Sequence, residues 1–311
     1  MATTTSITTT YAGEFAGKYI AAALLSGETL NKGGVEIKPN VKFKEVIKKV
    51  STDAILKDAT CDFDPTSTIT LTERILQPEE FQVNLQLCKK DFRSDWEAIE
   101  MGYSTFDQLP PSFSDFLISH VAEKVAQKTE QNIWGGVNAN AGEFDGFTVL
   151  LAADGDVNDA VTSETSFTAA NIVGELGKLV DAIPNSVLYQ EDLHIYVPNN
   201  VYQLYLRALG GFQSGGIGAN GYDNKGNNQA ISSLMFDGIK IFRAPGMPAD
   251  HMVAAQKSNL FFGTGLLSDS QEVKVIDMSD VDGSQNVRVV MRATAGVQYG
   301  IGSDIALYTL A

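Results

Sequence analysis

The chain has 311 residues, of which 44% are hydrophobic and 20% are charged, and its formal net charge is −15. This is the composition of a globular protein with enough apolar material for a core, and the length suits about two domains, or one domain with long excursions. The excess of carboxylates repels phosphate, which argues against a sequence-reading nucleic-acid binder and gives no reason to expect docking on an anionic membrane.

Residues 1–42 are predicted to form an arm rather than a domain. They are Thr-rich at first, then weakly helical through "GEFAGKYIAAALLSG", then polar around Gly33 and Pro39. Such a segment buries too little to offset its ordering entropy. No basic residue precedes Lys18, and the apolar run at 19–25 is too short to span a membrane and lacks a cleavage pattern. We therefore expect a soluble chain that is made in the cytosol and is not processed.

Residues 43–92 are predicted to form an extended β-hairpin. Two runs, "STITLTERI" and "FQVNLQL", alternate apolar and polar residues with the period of two that is typical of half-buried strands. The apolar sides of these runs consist of Ile69, Leu71 and Ile75 in the first and Phe81, Val83, Leu85 and Leu87 in the second. A two-stranded ribbon is barely stable alone in water, so this apolar face needs a core from elsewhere.

Residues 110–136 are predicted to form one long helix. Two prolines precede it, Gly135 and Gly136 end it, and it spans about 22 residues, or about 33 Å. Its apolar stripe contains residues that recur every four positions, namely Phe113, Leu117, Val121 and Val125. A stripe of that length needs an extended sheet beneath it.

An α/β section follows, and strands follow that. Helices are predicted in "SFTAANIVGELGKLVDAI" and after Pro198, with the strand "LHIYV" between them. Residues 210–228 form a glycine-rich loop without periodicity. From residue 236 onward the chain is predicted to be a succession of strands, the longest of which, "NVRVVMRATAGVQYG", could lie against the long helix.

No catalytic, cofactor-binding or metal-binding set is predicted. The three histidines are far apart, and two cysteines, Cys61 and Cys88, make neither a disulfide framework nor a four-ligand zinc site, which favours a reducing compartment. The stretch "DGDVND" imitates the start of a calcium loop, but Asp159 stands where that loop has glycine and Thr165 where it has glutamate. The glycine-rich loop lacks the lysine of a phosphate-binding loop.

The order of these parts resembles that of the major capsid proteins of tailed bacteriophages, the shell fold named for phage Hong Kong 97. The segment "DGIKIFRAPGMPAD" is similar to a strand–turn of that family, and "NLFFGTG" followed by "VKVID" resembles its next strands. The segment "QNVRVVMRATAGVQYGIGSDIALYTL" resembles its C-terminal strands, and "QPEEFQVNLQLCKKDF" resembles the strand that enters its spine helix. The resemblance covers nearly the whole chain, and the order of the motifs carries it.

The resemblance implies an α+β fold with five parts. Residues 1–42 would be the N-terminal arm and residues 43–92 the β-hairpin that the family calls the E-loop. Residues 93–150 and 283–300 would form the peripheral domain with the spine helix. Residues 151–282 and 301–311 would form the axial domain.

The implied function is that of a coat protein, not an enzyme, that uses no cofactor. Copies would assemble into pentamers and hexamers of an icosahedral shell in the host bacterial cytoplasm and remain in the virion. Packaged double-stranded DNA would be contacted non-specifically, and the acidic charge suits a container that must not hold its cargo tightly. The expected partners are a separate scaffolding protein, since Met1 leads directly into arm-like sequence, together with a portal and decoration proteins.

The contact between subunits would come from the apolar face of the E-loop, which would find its core on a neighbouring copy. The residues expected there are Ile69, Leu71, Phe81, Val83, Leu85 and Leu87. Some family members crosslink a lysine to an asparagine, and Lys57 is a conceivable donor, although no asparagine partner can be named.

Three alternatives remain open at this point. An encapsulin-type nanocompartment would share the fold and would need a cargo-peptide pocket. A β-rich carbohydrate- or surface-binding module would use calcium-loop acids or aromatic platforms. An α/β enzyme acting through residues 222–228 would need a nucleophile and a base, which the sequence does not offer.

Overall fold

The computed structural model describes residues 28–52, 56–59, 61, 68–92, 111–209, 234–265, 273–279 and 282–311. Its helices are α1 (Glu28–Asn31), α2 (Lys89–Phe92), α3 (Pro111–Gly135), α4 (Phe147–Ala152), α5 (Ile172–Asp181) and α6 (Asn199–Ala208). Its strands are β1 (Glu36–Lys38), β2 (Glu45–Thr52), β3 (Ile69–Leu76), β4 (Glu79–Cys88), β5 (Asn158–Asp159), β6 (Leu193–Val197), β7 (Met235–Phe236), β8 (Ile239–Arg243), β9 (His251–Gln256), β10 (Leu260–Thr264), β11 (Val273–Asp277), β12 (Asn286–Tyr299) and β13 (Ala306–Thr309).

Strand β12 is the centre of a five-stranded sheet. Along one edge it pairs antiparallel with β4, and along the other it pairs antiparallel with β10 and β11. Strand β1 adds to the far side of β10 in parallel. Because side chains alternate along a strand, Val287, Val289 and Met291 share one buried face. Helix α3 packs on β11 and β12, as the sequence predicted for this longest strand.

The second sheet has six strands, in the order β5-β13-β9-β6-β8-β7. Strands β6 and β8 run parallel, while β9 runs antiparallel to β6. Helix α5 covers this sheet with Ile172, Leu176 and Leu179, which are fully buried and which the amphipathic pattern had indicated. The predicted helix–strand–helix order of this section is therefore confirmed.

We call the five-stranded and six-stranded sheets with their helices the body. The third sheet has two strands and differs from the predicted hairpin. We call β2 and β3 the ribbon; they pair antiparallel with each other from Glu45 opposite Leu76 to Thr52 opposite Ile69. The prediction that β4 is the second ribbon strand is wrong, because β4 pairs over its ten residues with β12. Alternation alone fits both places, and the body sheet offers β4 a longer partner.

Two other segments lie in a different place from the one expected. Strands β10 and β11 were assigned to the axial part, yet both pair with β12 in the five-stranded sheet. Residues 28–42 were assigned to the arm, yet α1 and β1 are bonded to the body. Short-range sequence patterns report that a strand exists, whereas its partner depends on contacts far along the chain.

Some sequence predictions fall outside the described residues. These are the arm before residue 28, residues 93–110 and the glycine-rich loop at 210–228. For residues 111–119 the backbone alone is described, so the side chains of Phe113 and Leu117 are not placed. Further along the stripe, Val121 is buried and Val125 is half-buried. Among the described residues, no helix is long and apolar enough to cross a membrane.

The C-terminal end of α3 is locked into the body. Ile133 and Trp134 are fully buried, and the Trp134 ring lies 5.4 Å from that of Phe147 and 5.1 Å from that of Tyr196. Gly246 approaches the helix so closely that a Cβ there would lie 2.0 Å from the Glu130 carbonyl oxygen. The sequence therefore needs glycine at 246 to let the loop after β8 touch the helix backbone.

We expect Gly246→Ala to lower the free energy of unfolding by about 1–3 kcal/mol, because the added methyl group overpacks backbone against backbone. Gly177→Ala in the middle of α5 is the matched control, since a Cβ there meets nothing within 4 Å. That control should raise stability by about 0.5–1 kcal/mol, the helix penalty of glycine. Urea titrations of both variants check the prediction, and equal effects of the two substitutions would contradict it.

Candidate functional site

One face of the ribbon exposes a row of apolar side chains. Directly opposite residues of an antiparallel pair share a face, and on this face Val46 lies opposite Ile75 and Val50 opposite Leu71. The exposed fractions are 45% for Val46, 63% for Val50, 71% for Ile69, 68% for Leu71 and 44% for Ile75. In the same row, Lys48 lies opposite Glu73. This charged pair divides the row into two exposed apolar patches, and exposed apolar surface of this kind marks an interaction site.

The base of the ribbon is anchored in the body by Leu76. This side chain is fully buried, and it packs over Gly263 of β10, where a Cβ would lie 2.9 Å from the Leu76 Cδ2 atom. Beside it, the side-chain amide of Gln298 donates to the Ile75 carbonyl oxygen at 3.1 Å. The ribbon therefore leaves the body from a fixed point on the five-stranded sheet.

Arg74, which is also at the ribbon base, makes a second attachment. We call the group of Arg74, Asp154 and Tyr299 the clamp. The Arg74 guanidinium is ion-paired with Asp154, donates to the Tyr299 hydroxyl at 3.1 Å and lies 4.3 Å from the centre of the Tyr299 ring. The Tyr299 hydroxyl donates to Asp154 Oδ2 at 2.7 Å. The clamp joins the ribbon, the segment after α4 and the end of β12.

Asp154 is the first residue of the stretch that imitates a calcium loop, and its carboxylate is taken up by the clamp. Burial raises the pKa of Asp154, but hydrogen bonds from Tyr299, the Asp156 backbone and Arg74 outweigh it and leave the pKa below the ordinary 3.8. Within the described residues, no group of three or more His, Cys, Asp or Glu side chains could hold a metal ion. Asp154 therefore acts as a structural anchor.

The apolar residues of β4 lie in the five-stranded sheet and not in the ribbon, where the sequence places them. Phe81, Val83 and Leu87 are half-buried, and Leu85 is 45% exposed. The Phe81 ring lies 5.9 Å from the ring of Phe144, in the loop after α3. Since β4 belongs to the body sheet, these four residues are not part of the ribbon; Ile69 and Leu71 are.

A groove of about 1360 Å³ lies between α3 and β4. Its floor is formed by β4, β12 and β10, one wall by α3, and one end by α1 and the loop after α3. The side chains that line it are apolar and polar in about equal number, and the apolar ones include Phe81, Val83, Val125, Ala126 and Leu30. Within the part of the chain that the structure describes, α3 thus covers β11 and β12, and the groove lies over the β4 side of the sheet.

A buried carboxylate joins α1 to α3 at the end of this groove. Glu130 is 1% exposed and accepts hydrogen bonds from the Thr29 backbone N–H at 3.1 Å and from the Thr29 hydroxyl. The Trp134 indole N–H donates to the same hydroxyl at 2.9 Å. Burial raises the pKa of Glu130 above its ordinary 4.5 despite these bonds. Helix α1 is thereby fixed on the long helix.

Comparison with known proteins rests on structure alone. No family model matches the sequence, and neither does any curated protein. The fold matches a chain from the capsid of a native GTA particle with a TM-score of 0.66 at 13% identity, covering 95% of this chain and 94% of that one. It matches the capsid of cyanophage P-SCSP1u with a TM-score of 0.57 at 12% identity, covering 99% of this chain and 95% of that one. It matches the capsid of Myoviridae phage XM1 with a TM-score of 0.55 at 13% identity, covering 100% of this chain and 96% of that one.

The chain has the phage capsid fold. Because each match spans nearly the full length of both chains, it covers the whole α+β architecture rather than a single sheet. The resemblance in the order of motifs is therefore confirmed at the level of the fold.

We expect Arg74→Ala to loosen the ribbon base without unfolding the body. The loss of hydrogen bonds to a charged group costs roughly 1.5–3 kcal/mol, so amide hydrogen exchange in β2 and β3 should speed up at least about tenfold. Arg292→Ala, an exposed arginine on β12, is the matched control. Mass-spectrometric exchange on unassembled subunits makes the measurement, and unchanged rates in Arg74→Ala would show that the clamp does not hold the ribbon.

The clamp should also respond to pH. A carboxyl whose folded pKa is lowered contributes stability that is present above the ordinary pKa of 3.8 and is lost as the pH falls through the lowered value. The distance between spin labels on Cys61 and on a Ser303→Cys variant, with Cys88→Ser, should therefore become broadly distributed only below about pH 3.8. In Asp154→Asn the distribution should be equally broad at neutral and acid pH.

Proposed function

We propose that this chain is the major capsid protein of a tailed bacteriophage. Copies of it would assemble into pentamers and hexamers that close into an icosahedral shell around double-stranded DNA. The role is structural and not enzymatic, and the protein would reside in the virion after assembly in the bacterial cytoplasm.

The observation that carries the proposal is the exposed apolar face of the ribbon on a phage capsid fold. Five apolar side chains on a two-stranded ribbon have no second layer of their own chain among the described residues. A protein that worked as a monomer would keep this surface in water at a free-energy penalty of about 25 cal/mol per Å². A second copy that covers it removes that penalty, and closed symmetry repeats the gain at every subunit.

The surface proposed for contact between subunits consists of Val46, Val50, Ile69, Leu71 and Ile75. This set keeps Ile69 and Leu71 from the sequence prediction, adds Ile75 of the same strand and replaces the β4 residues with Val46 and Val50 of β2. The five-stranded sheet with α3 would serve as the peripheral domain, and the six-stranded sheet with α5 and α6 as the axial domain. A scaffolding protein, a portal and decoration proteins are the further partners proposed, and DNA would be contacted without sequence preference.

The first test is assembly of the ribbon variant Ile69→Asp/Leu71→Asp. Two carboxylates on the contact face would have to be desolvated on assembly, so purified subunits should form no shells in electron micrographs while their circular dichroism stays that of the wild type. The wild-type chain should form shells or capsomers under the same conditions.

The matched control is Thr70→Asp/Thr72→Asp, which adds the same charges to the opposite face of β3. It should assemble as the wild type does. Normal shells from Ile69→Asp/Leu71→Asp would overturn the contact surface, and a wild-type chain that stays monomeric under all conditions would overturn the coat function.

A further inference from the structure

We infer that two surfaces of opposite charge, a basic patch and an acidic patch, join one copy of this chain to a second copy in a head-to-tail contact. The basic patch consists of Lys42, Phe43 and Lys44, and the acidic patch consists of Asp156, Asp159 and Val161. This contact rests on the proposed coat function and adds to it, because neither patch belongs to the exposed apolar face of the ribbon. Each patch combines exposed charges with an exposed apolar side chain.

The basic patch forms the corner that leads from the body into the ribbon. Before it, Val41 is buried, and its backbone N–H donates to the Thr264 carbonyl oxygen at 3.1 Å. After it, Glu45 begins β2. Phe43 is 74% exposed, and the Lys44 Nζ atom lies 5.6 Å from the centre of its ring. A large aromatic side chain in water carries a free-energy penalty that a partner removes by covering it.

The acidic patch lies on the segment that follows the clamp. The carboxylate of Asp154 is neutralised within the clamp, whereas Asp156 and Asp159 are exposed and form no ion pair with any described residue. Two positions further along the chain, Val161 is 85% exposed. Residues 154–164 contain four acidic residues and no basic one. This segment is therefore more acidic than its own chain neutralises.

The two patches lie at different ends of β10. The basic patch follows residues whose backbone N–H groups donate to the carbonyl oxygens of Thr264 and Gly265, at one end of the strand. The acidic patch follows Asp154, which binds Tyr299, and Tyr299 lies opposite Leu260 at the other end. These ends are four residues apart, or about 13 Å along the strand. Within the part of the chain that the structure describes, no ion pair joins the two patches.

A contact between two different surfaces of identical copies is head-to-tail. When the rotation from one copy to the next closes, contacts of this type produce rings. Pentamers and hexamers are rings, so this pair of patches has the symmetry that the proposed function requires. The basic patch of each copy would meet the acidic patch of the next, and every subunit would use both.

Charge indicates which partner fits the basic patch. Residues 36–49 contain five lysines and two glutamates in a chain whose net charge is −15. Copies with that charge repel each other at long range, so their approach is favoured where a basic surface meets an acidic one. The backbone of duplex DNA would also attract the lysines, but it offers no apolar surface to Phe43. The acidic patch of a second copy offers both carboxylates and Val161.

The decisive variant is Asp156→Lys/Asp159→Lys. It lowers the net negative charge of each subunit by four, so a general decrease in repulsion would make assembly easier, whereas loss of the contact makes assembly harder. We expect the subunit concentration at which shells form, measured by light scattering, to rise at least about tenfold. Glu123→Lys/Asp181→Lys is the matched control, since it changes the charge equally at two exposed positions outside both patches. It should not raise that concentration.

A reversal of the basic patch should restore assembly. Lys42→Glu/Lys44→Glu alone should also raise the threshold concentration at least about tenfold. When it is combined with Asp156→Lys/Asp159→Lys, the exchanged charges attract each other again, so the threshold should return to within about threefold of the wild-type value. Circular dichroism checks that each variant is folded.

The outcomes separate this contact from the coat function. If the wild type forms shells and the threshold is unchanged in Asp156→Lys/Asp159→Lys, or if the fourfold variant does not recover, the contact is overturned and the coat function stands. A wild-type chain that never assembles would overturn both.

A carbodiimide tests the pairing without any substitution, because it joins a carboxylate to an adjacent amine as an amide and is itself converted to a urea. In shells assembled from isotopically heavy and light subunits, we expect crosslinked peptides that join Lys42 or Lys44 to Asp156 or Asp159, with one peptide heavy and the other light. Crosslinks from these lysines only to other segments, or only within one chain, would overturn the contact.

Discussion

A sheet of two strands cannot bury either of its faces against itself, and this constraint governs how the ribbon is built and what it can do. The ribbon places Val50, Ile69 and Leu71 in water on one face, while its base is fixed through Leu76 and Arg74. A flexible ribbon would lose conformational freedom when a partner covered it. A ribbon that is held at a defined angle loses less, and preorganisation of this kind improves affinity without any additional contact.

The clamp and the buried Glu130 site have the same structural role at two places in the fold, which is to attach one segment of the chain to another. Each joins segments that are far apart along the chain: Arg74 to Asp154 and Tyr299, and Thr29 to Glu130. Each also places a carboxylate where hydrogen bonds satisfy it, and a buried acceptor in such a network specifies one geometry more strictly than an apolar contact does. The ribbon and α1 are therefore both attached to the body through polar contacts of defined direction.

Local patterns were sufficient to predict most elements, but not their partners. The period of four in the α3 stripe, the prolines before it and the glycines after it predicted a helix that the structure places at Pro111–Gly135. The alternation of β4 predicted a strand correctly and its partner wrongly, since Phe81 to Leu87 can face either a ribbon or a body sheet. The looser alternation of β2 could have indicated that β2 is the partner of β3, because Val46 and Val50 have the same spacing as Leu71 and Ile75. Glu130 gave no such signal, because it lies five positions after Val125 and so about 140° around the helix from the apolar stripe. Nothing near Arg74 in sequence points to Asp154 or Tyr299 either.

Strand β12 sets the order in which this protein can become complete. Strands β4, β10 and β11 all need it as a partner, and the next strand, β13, bridges β5 and β9 in the other sheet. During synthesis from the N-terminus, neither sheet can therefore close until residues 286–309 have left the ribosome. A ribosome-bound chain would therefore present a ribbon without a finished body behind it, and the end of translation sets the moment at which both sheets can close.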